Sequence, residues 1–251
     1  SALLACCAVM FLHACGAPPE MQKAAPALWL VEDADTQIYL LGSMHALPDH
    51  LDWSGGAVQT AIDKADTLIL ELSPAETAKV SSVYARLSPR TSPLAVEERL
   101  APSARSAYDR LAFKDQLALS DELDDWALML ALGHQASKRV GISPDNGVET
   151  KVSAQFRKAG KTIDGLETAE MQIMMFENLP AATQGALLNN ALTKADQAPA
   201  AIKSLVAAWS SGDVDAMQQQ IAQDTAAAPL AHQRLITDRN HRWASWAKRR
   251  M

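Results

Sequence analysis

Two residues in this chain stand where chemistry is done in α/β folds. His45 closes the tetrad Gly42-Ser43-Met44-His45, which follows the strand-like run Ile38-Tyr39-Leu40-Leu41. Glu71 lies near the end of the next such run, Thr67-Leu68-Ile69-Leu70-Glu71-Leu72. A glycine lets the backbone turn at a strand end, and ligands of open α/β sheets bind beyond the strand ends. One imidazole and one carboxylate converging there can hold a divalent metal or share a proton-transfer role. The same residues also suit structural work, His45 bonding to loop backbone and Glu71 capping the helix that begins near Pro74. Spacing alone leaves both readings open.

Other signatures are dismissed directly. Gly160-Lys161-Thr162 has the tail of a phosphate loop, but Gln155 stands where its first glycine belongs and a strand follows instead of a helix. Neither a Gly-x-Ser-x-Gly elbow nor a His-Glu-x-x-His helix occurs. Cys6, Cys7 and Cys15 all precede residue 16, which leaves no cysteine pair for zinc in the rest of the chain.

The elements that must position these side chains are readable from periodicity. Leu28–Val31 and Ile38–Leu41 flank the polar turn 32–36 as a hairpin. Helix spacing over Gly56–Ala65 makes residues 38–72 a strand–helix–strand unit, for which a right-handed crossover between parallel strands is the default. Pro74–Leu87 reads as a helix with proline in its first turn. Pro89, Pro93 and Pro102 are expected to break 88–123 into short pieces. Ser120-Asp121-Glu122 is expected to cap a helix burying Leu123, Trp126, Leu130 and Leu132. Asn146–Ala159 reads as a helix, Lys161–Leu166 as a strand, and Thr168 onward as helices ending in Ile236–Arg250. The expected fold is α/β: a central mixed β-sheet flanked by helices, with a largely helical middle.

The chain has 251 residues, 48% apolar and 21% charged, enough for one sizeable core. Its formal charge of −6 repels phosphate backbones, so nucleic acid is excluded as a general partner. Ala2–Leu12 is an unbroken apolar run, shorter than the roughly 20 residues a membrane span needs. It has the length of a secretory signal core. Leu12-His13-Ala14-Cys15 is similar to the lipobox of bacterial lipoproteins. The expected organisation is a signal peptide over 1–14, incomplete at its start, a lipid-anchored tether over 15–27, and one domain over 28–251. Lipidated Cys15 would hold the protein to the cell envelope, on the periplasmic side and at the outer membrane in preference to the inner; without the lipid the protein would be secreted.

An ordered set of short motifs resembles the TraB/GumN family, which includes the animal Tiki proteins. It runs through Ile38–Pro48 and Ala65–Glu71, then Asn146-Gly147-Val148-Glu149, Gly165–Gln172, Trp209 with Gly212-Asp213, and Asp238–Trp243. The resemblance implies a metal-dependent peptidase using Mn or Co in preference to Zn. His45 would then be a metal ligand and Glu71 a ligand or general base. Arg239 would stabilise an oxyanion or hold an acidic group. Glu167 would be a further ligand or a supporting contact, unless it serves as a carboxylate at a helix N-terminus. The family's second Gly-x-x-His is not found before Met251, so the chain reads as a fragment with its last strand or strands missing. The substrate would be a peptide or protein segment; the alternative is a non-catalytic lipoprotein that binds a peptide or supports envelope assembly.

Overall fold

The computed structural model describes residues 21–251. The signal and lipobox readings fall on residues outside that range.

The chain begins with β1 (Gln22–Lys23) and β2 (Leu28–Glu32), then β3 (Gln37–Leu41) and β4 (Leu51–Asp52). Strands β2 and β3 form the expected antiparallel hairpin. Its turn is set by Asp33, whose carboxylate accepts from the amides of Asp35 and Thr36 at 3.2 and 2.9 Å. Helix α1 (Gly56–Lys64) buries Val58, Ala61 and Ile62 at helical spacing, and β5 (Thr67–Leu72) follows.

The segment expected as one helix over Pro74–Leu87 is α2 (Pro74–Thr77) followed by α3 (Val80–Leu87). The tightened bond from Lys79 N to Glu76 O separates them. After α4 (Val96–Arg99), Pro102 does not break the chain but opens the 14-residue α5 (Pro102–Asp115), because proline lacks only an amide that a first turn leaves unpaired anyway. The cap of α6 (Asp125–Arg139) is Asp124, four residues later than Ser120. Arg99 bonds to the carbonyls of Ser120 and Leu123 and holds that stretch as a loop.

A 3₁₀ turn at Pro144–Asn146 leads into α7 (Val148–Lys158), then β6 (Thr162–Glu167). Lys161, from the dismissed phosphate-loop tail, donates to the carbonyls of Ile62, Asp63 and Ala65 at the end of α1. Helices α8 (Ala169–Glu177), α9 (Ala181–Thr193), α10 (Ala198–Ser211), α11 (Val214–Thr225) and α12 (Pro229–His232) complete the helical part. A π-helical turn at Gln233–Thr237 enters α13 (Asp238–Lys248). No helix among the described residues is long and apolar enough to cross a membrane.

The fold is α/β with a helical middle, as expected, and among the described residues the strands pair as three two-stranded ladders: β1–β4 parallel, β2–β3 antiparallel and β5–β6 parallel. The expected β3–β5 neighbourhood is replaced. Beyond β3 the Gly42 carbonyl accepts from the Trp209 indole at 2.9 Å, so a helix stands at this point instead of a strand. Strand β5 pairs with β6, brought close by Gly165, where a Cβ would lie 2.5 Å from Ser73 N. The core beneath the strand ends joins Leu47, Trp53, Ile62, Val148, Phe156 and Trp209. Separate clusters serve the helices, one built on Trp126, which meets Tyr84 edge-on at 5.5 Å.

Candidate functional site

The loop after β3 is held at two points. Leu47, fully buried, exchanges backbone bonds with Ser143, and the Met44 carbonyl accepts from Val148 N at 3.0 Å. His45 lies between them. The glycine this geometry demands is Gly147: a Cβ there would lie 2.1 Å from the His45 carbonyl oxygen. At Gly42, by contrast, a Cβ would meet Ala27 O at an ordinary 3.5 Å, and its φ is not positive, so the turn expected of it needs no glycine.

Docking the start of α7 on this loop brings in Glu149. Its Oε1 accepts from Ser43 Oγ at 2.7 Å and lies 2.9 Å from His45 Nδ1. A carboxylate only accepts, so Nδ1 carries the proton and Nε2 is left outward. The bond to Glu149 raises the His45 pKa above its ordinary 6.5, against the lowering effect of desolvation. Burial alone would raise the Glu149 pKa, but the hydrogen bond and charge of His45 and the Ser43 hydroxyl outweigh it, so the net shift is downward. The His45 side chain is nevertheless 72% exposed. Thus His45 bonds to a carboxylate, not to the loop backbone.

The second group is partly buried. In β5–β6, Leu72 pairs with Glu167, so Glu71 and Glu167 leave the ladder at the same end. Arg239, on the first turn of α13, reaches both. Its Nε and Nη2 donate to the two Glu167 oxygens at 3.0 and 2.7 Å, and Nη2 also donates to Glu71 Oε2 at 2.7 Å. Gln172 Nε2 donates to that Glu71 oxygen at 2.9 Å. The guanidinium lies 4.6 Å from the Trp243 ring centroid. Glu167 is 2% exposed and Arg239 15%. Burial would lower the Arg239 pKa, but its bond to Glu167 and the charge of Glu71 raise it. Arg239 thus holds the two acidic groups of the strand ends. The helix caps are Ser73, accepting from Glu76 N, and Thr168, accepting from Met171 N; neither Glu71 nor Glu167 serves as one.

The charges of Glu71 and Arg239 both act on the His45 imidazole, one raising and the other lowering its pKa, so the clamp lies within electrostatic range of the dyad. Both Glu167 oxygens accept from Arg239. Both bonds to Glu71 fall on Oε2. Among the described residues no group of three or more His, Cys, Asp or Glu side chains could hold a metal ion. By donor type, His45 Nε2 and Glu71 Oε1 suit such an ion as two of its ligands, not as a complete shell.

Glu149, Ser43, Gln172 and Trp243 were not singled out from the sequence as contacts of this site. Glu149 had a signal: an acidic residue in the first helical turn directly after Asn146-Gly147. Two other histidines have partners elsewhere: His232 Nδ1 pairs with Thr225 Oγ1 at 2.8 Å, and His50 lies beside Asp49.

No curated protein and no solved structure matches the chain. The TraB/PrgY/gumN family model matches residues 27–251, a span that holds the hairpin, the His45 loop, both strand-end glutamates and Arg239. On that match, spread over nearly its whole length, this chain belongs to the TraB/PrgY/gumN family.

Proposed function

We propose that this protein is a hydrolase of peptide amide bonds acting at the bacterial cell envelope. The observation carrying this reading is the Glu149–His45 dyad, in which Glu149 holds Nδ1 of an exposed imidazole and leaves Nε2 for a ligand. Glu149 fixes the ring's tautomer and orientation, as carboxylates do behind metal-ligating histidines. Arg239 and Gln172 hold Glu71 through one oxygen, which keeps the other oriented and able to take a proton from water. Glu167 neutralises and aligns Arg239 from below. His45 Nε2 and Glu71 would hold a divalent cation, Mn or Co in preference to Zn, and when bound such an ion supplies Lewis acidity toward water and a carbonyl oxygen. A lipid on Cys15 would keep the site near the membrane, facing peptide or protein substrates.

The test is cleavage of a fluorogenic peptide library by the purified protein with Mn added or chelated. Mn-dependent turnover that His45→Ala abolishes, with its circular dichroism unchanged, supports the reading; turnover retained in that variant overturns it. One observation favours a second reading, a peptide-binding or envelope-assembly lipoprotein without catalysis: no group of three or more metal ligands is assembled among the described residues. Peptide binding with no turnover in either metal condition would select it.

A further inference from the structure

On the far side of Glu167 the clamp opens into a cleft of about 250 Å³, walled by Glu167, Met171, Met174, Met175, Asn178 and Arg242. That volume suits a single side chain more than a whole small molecule. Three of its walls are thioethers from one face of α8, at positions i, i+3 and i+4. Methionine is unbranched and polarizable, and it adapts to apolar ligands of differing shape. Met171 at the rim is 48% exposed.

Arg242 supplies the polar element. Its Nη2 lies 3.6 Å from Met175 Sδ and 3.8 Å from Glu167 Oε1, longer than the ~2.7–2.9 Å of a charge-assisted hydrogen bond. Arg239, one turn earlier, has both carboxylates within 3.0 Å. The two guanidiniums are thus differently committed: one is spent on the fold, the other is half-exposed beside an apolar cleft with donors to offer.

Building on the peptide reading above, we propose that this cleft is a specificity subsite that takes an apolar side chain of a peptide, with Arg242 donating to a backbone carbonyl of the same peptide. Glu167 is shared between clamp and cleft, so a side chain seated there adjoins the Arg239 clamp.

The experiment uses two labelled peptides that differ only in a central Leu or Asp, with binding read by fluorescence anisotropy under chelation. The Leu peptide is expected to bind at least about tenfold tighter, the scale of burying one Leu side chain. Met174→Glu, which puts a charge in the cleft, should erase that preference. Met171→Glu, at the exposed rim, should do so as well if Met174→Glu proves unfolded by circular dichroism. Arg242→Ala should weaken the Leu peptide by about tenfold. Equal affinity for the two peptides, or a preference that survives in the folded variants, overturns the subsite. Preferential Leu binding without Mn-dependent cleavage leaves the subsite standing and overturns the hydrolytic reading instead.

Discussion

The two halves of the site are built on opposite principles. Around Arg239, two carboxylates and an indole enclose one cation at the mouth of a strand pair, largely out of water, and an amide holds one of the carboxylates. Around His45, one carboxylate holds one imidazole in a loop pinned at its flanks, and the ring stays open to solvent. Charges in the first group are kept by one another, because a buried charge without its partner is costly. Those in the second are kept by geometry, because an exposed pair gains little from attraction alone. A clamp of the first kind contributes chiefly to stability and alignment. The second kind leaves a reactive nitrogen available. The contrast shows which residues the fold depends on and which it merely presents.

Removing Arg239 should break the contrast most severely. Arg239→Ala strands Glu167 in the interior and is expected to cost about 3–5 kcal/mol in urea denaturation. A loss below about 1 kcal/mol would mean the clamp is not closed in solution. Gly147→Ala comes next, at about 1–3 kcal/mol, since the new Cβ must displace the His45 carbonyl or the start of α7. It should also loosen the dyad, seen as a changed His45 imidazole resonance; an unchanged resonance would place the docking of α7 elsewhere. His45→Ala should alter stability by no more than about 0.5 kcal/mol, as suits an exposed ring. A large loss would move His45 into the structural class with Arg239.

The smallest effect concerns pH. The His45 pKa is raised above 6.5, so the pair's contribution is full below that value and fades as pH rises through the raised midpoint. On the acid side it fades as pH falls through the lowered pKa of Glu149, below 4.5. Glu149→Gln should bring the His45 midpoint down, followed by its C2 proton in an NMR titration. A midpoint that does not move would assign the shift to Glu71 instead.

Much of the scaffold was legible in the residues. The hairpin, α1, β5 and β6 fall within about two residues of their sequence-based bounds, because alternation, helical spacing and polar turns act locally. Pro102 was misread for an equally local reason: proline ends a helix from inside it but starts one at its first position. His45, Glu71, Glu167 and Arg239 were all expected at the site, but their pairing was not. The sequence has His45 and Glu71 converge from adjoining strands on a metal or a shared proton-transfer role. The nearest group to the ring is instead Glu149, and β5 takes β6 as its neighbour. The glycine that matters sits at 147, facing a carbonyl that nothing nearby in sequence announces.

The sequence by itself determined the helices and strands, the apolar faces that bury them, the acidic balance and the side chains available for chemistry, since each depends on neighbours a few positions away. Tertiary structure alone decided who meets whom. Ser43 and Glu149 are 106 positions apart and Glu71 and Arg239 are 168 apart, and such contacts exist only once β6 has docked on β5 and α7 on the His45 loop. Hydrogen bonds reach about 3 Å, and no local pattern carries information over that span of chain.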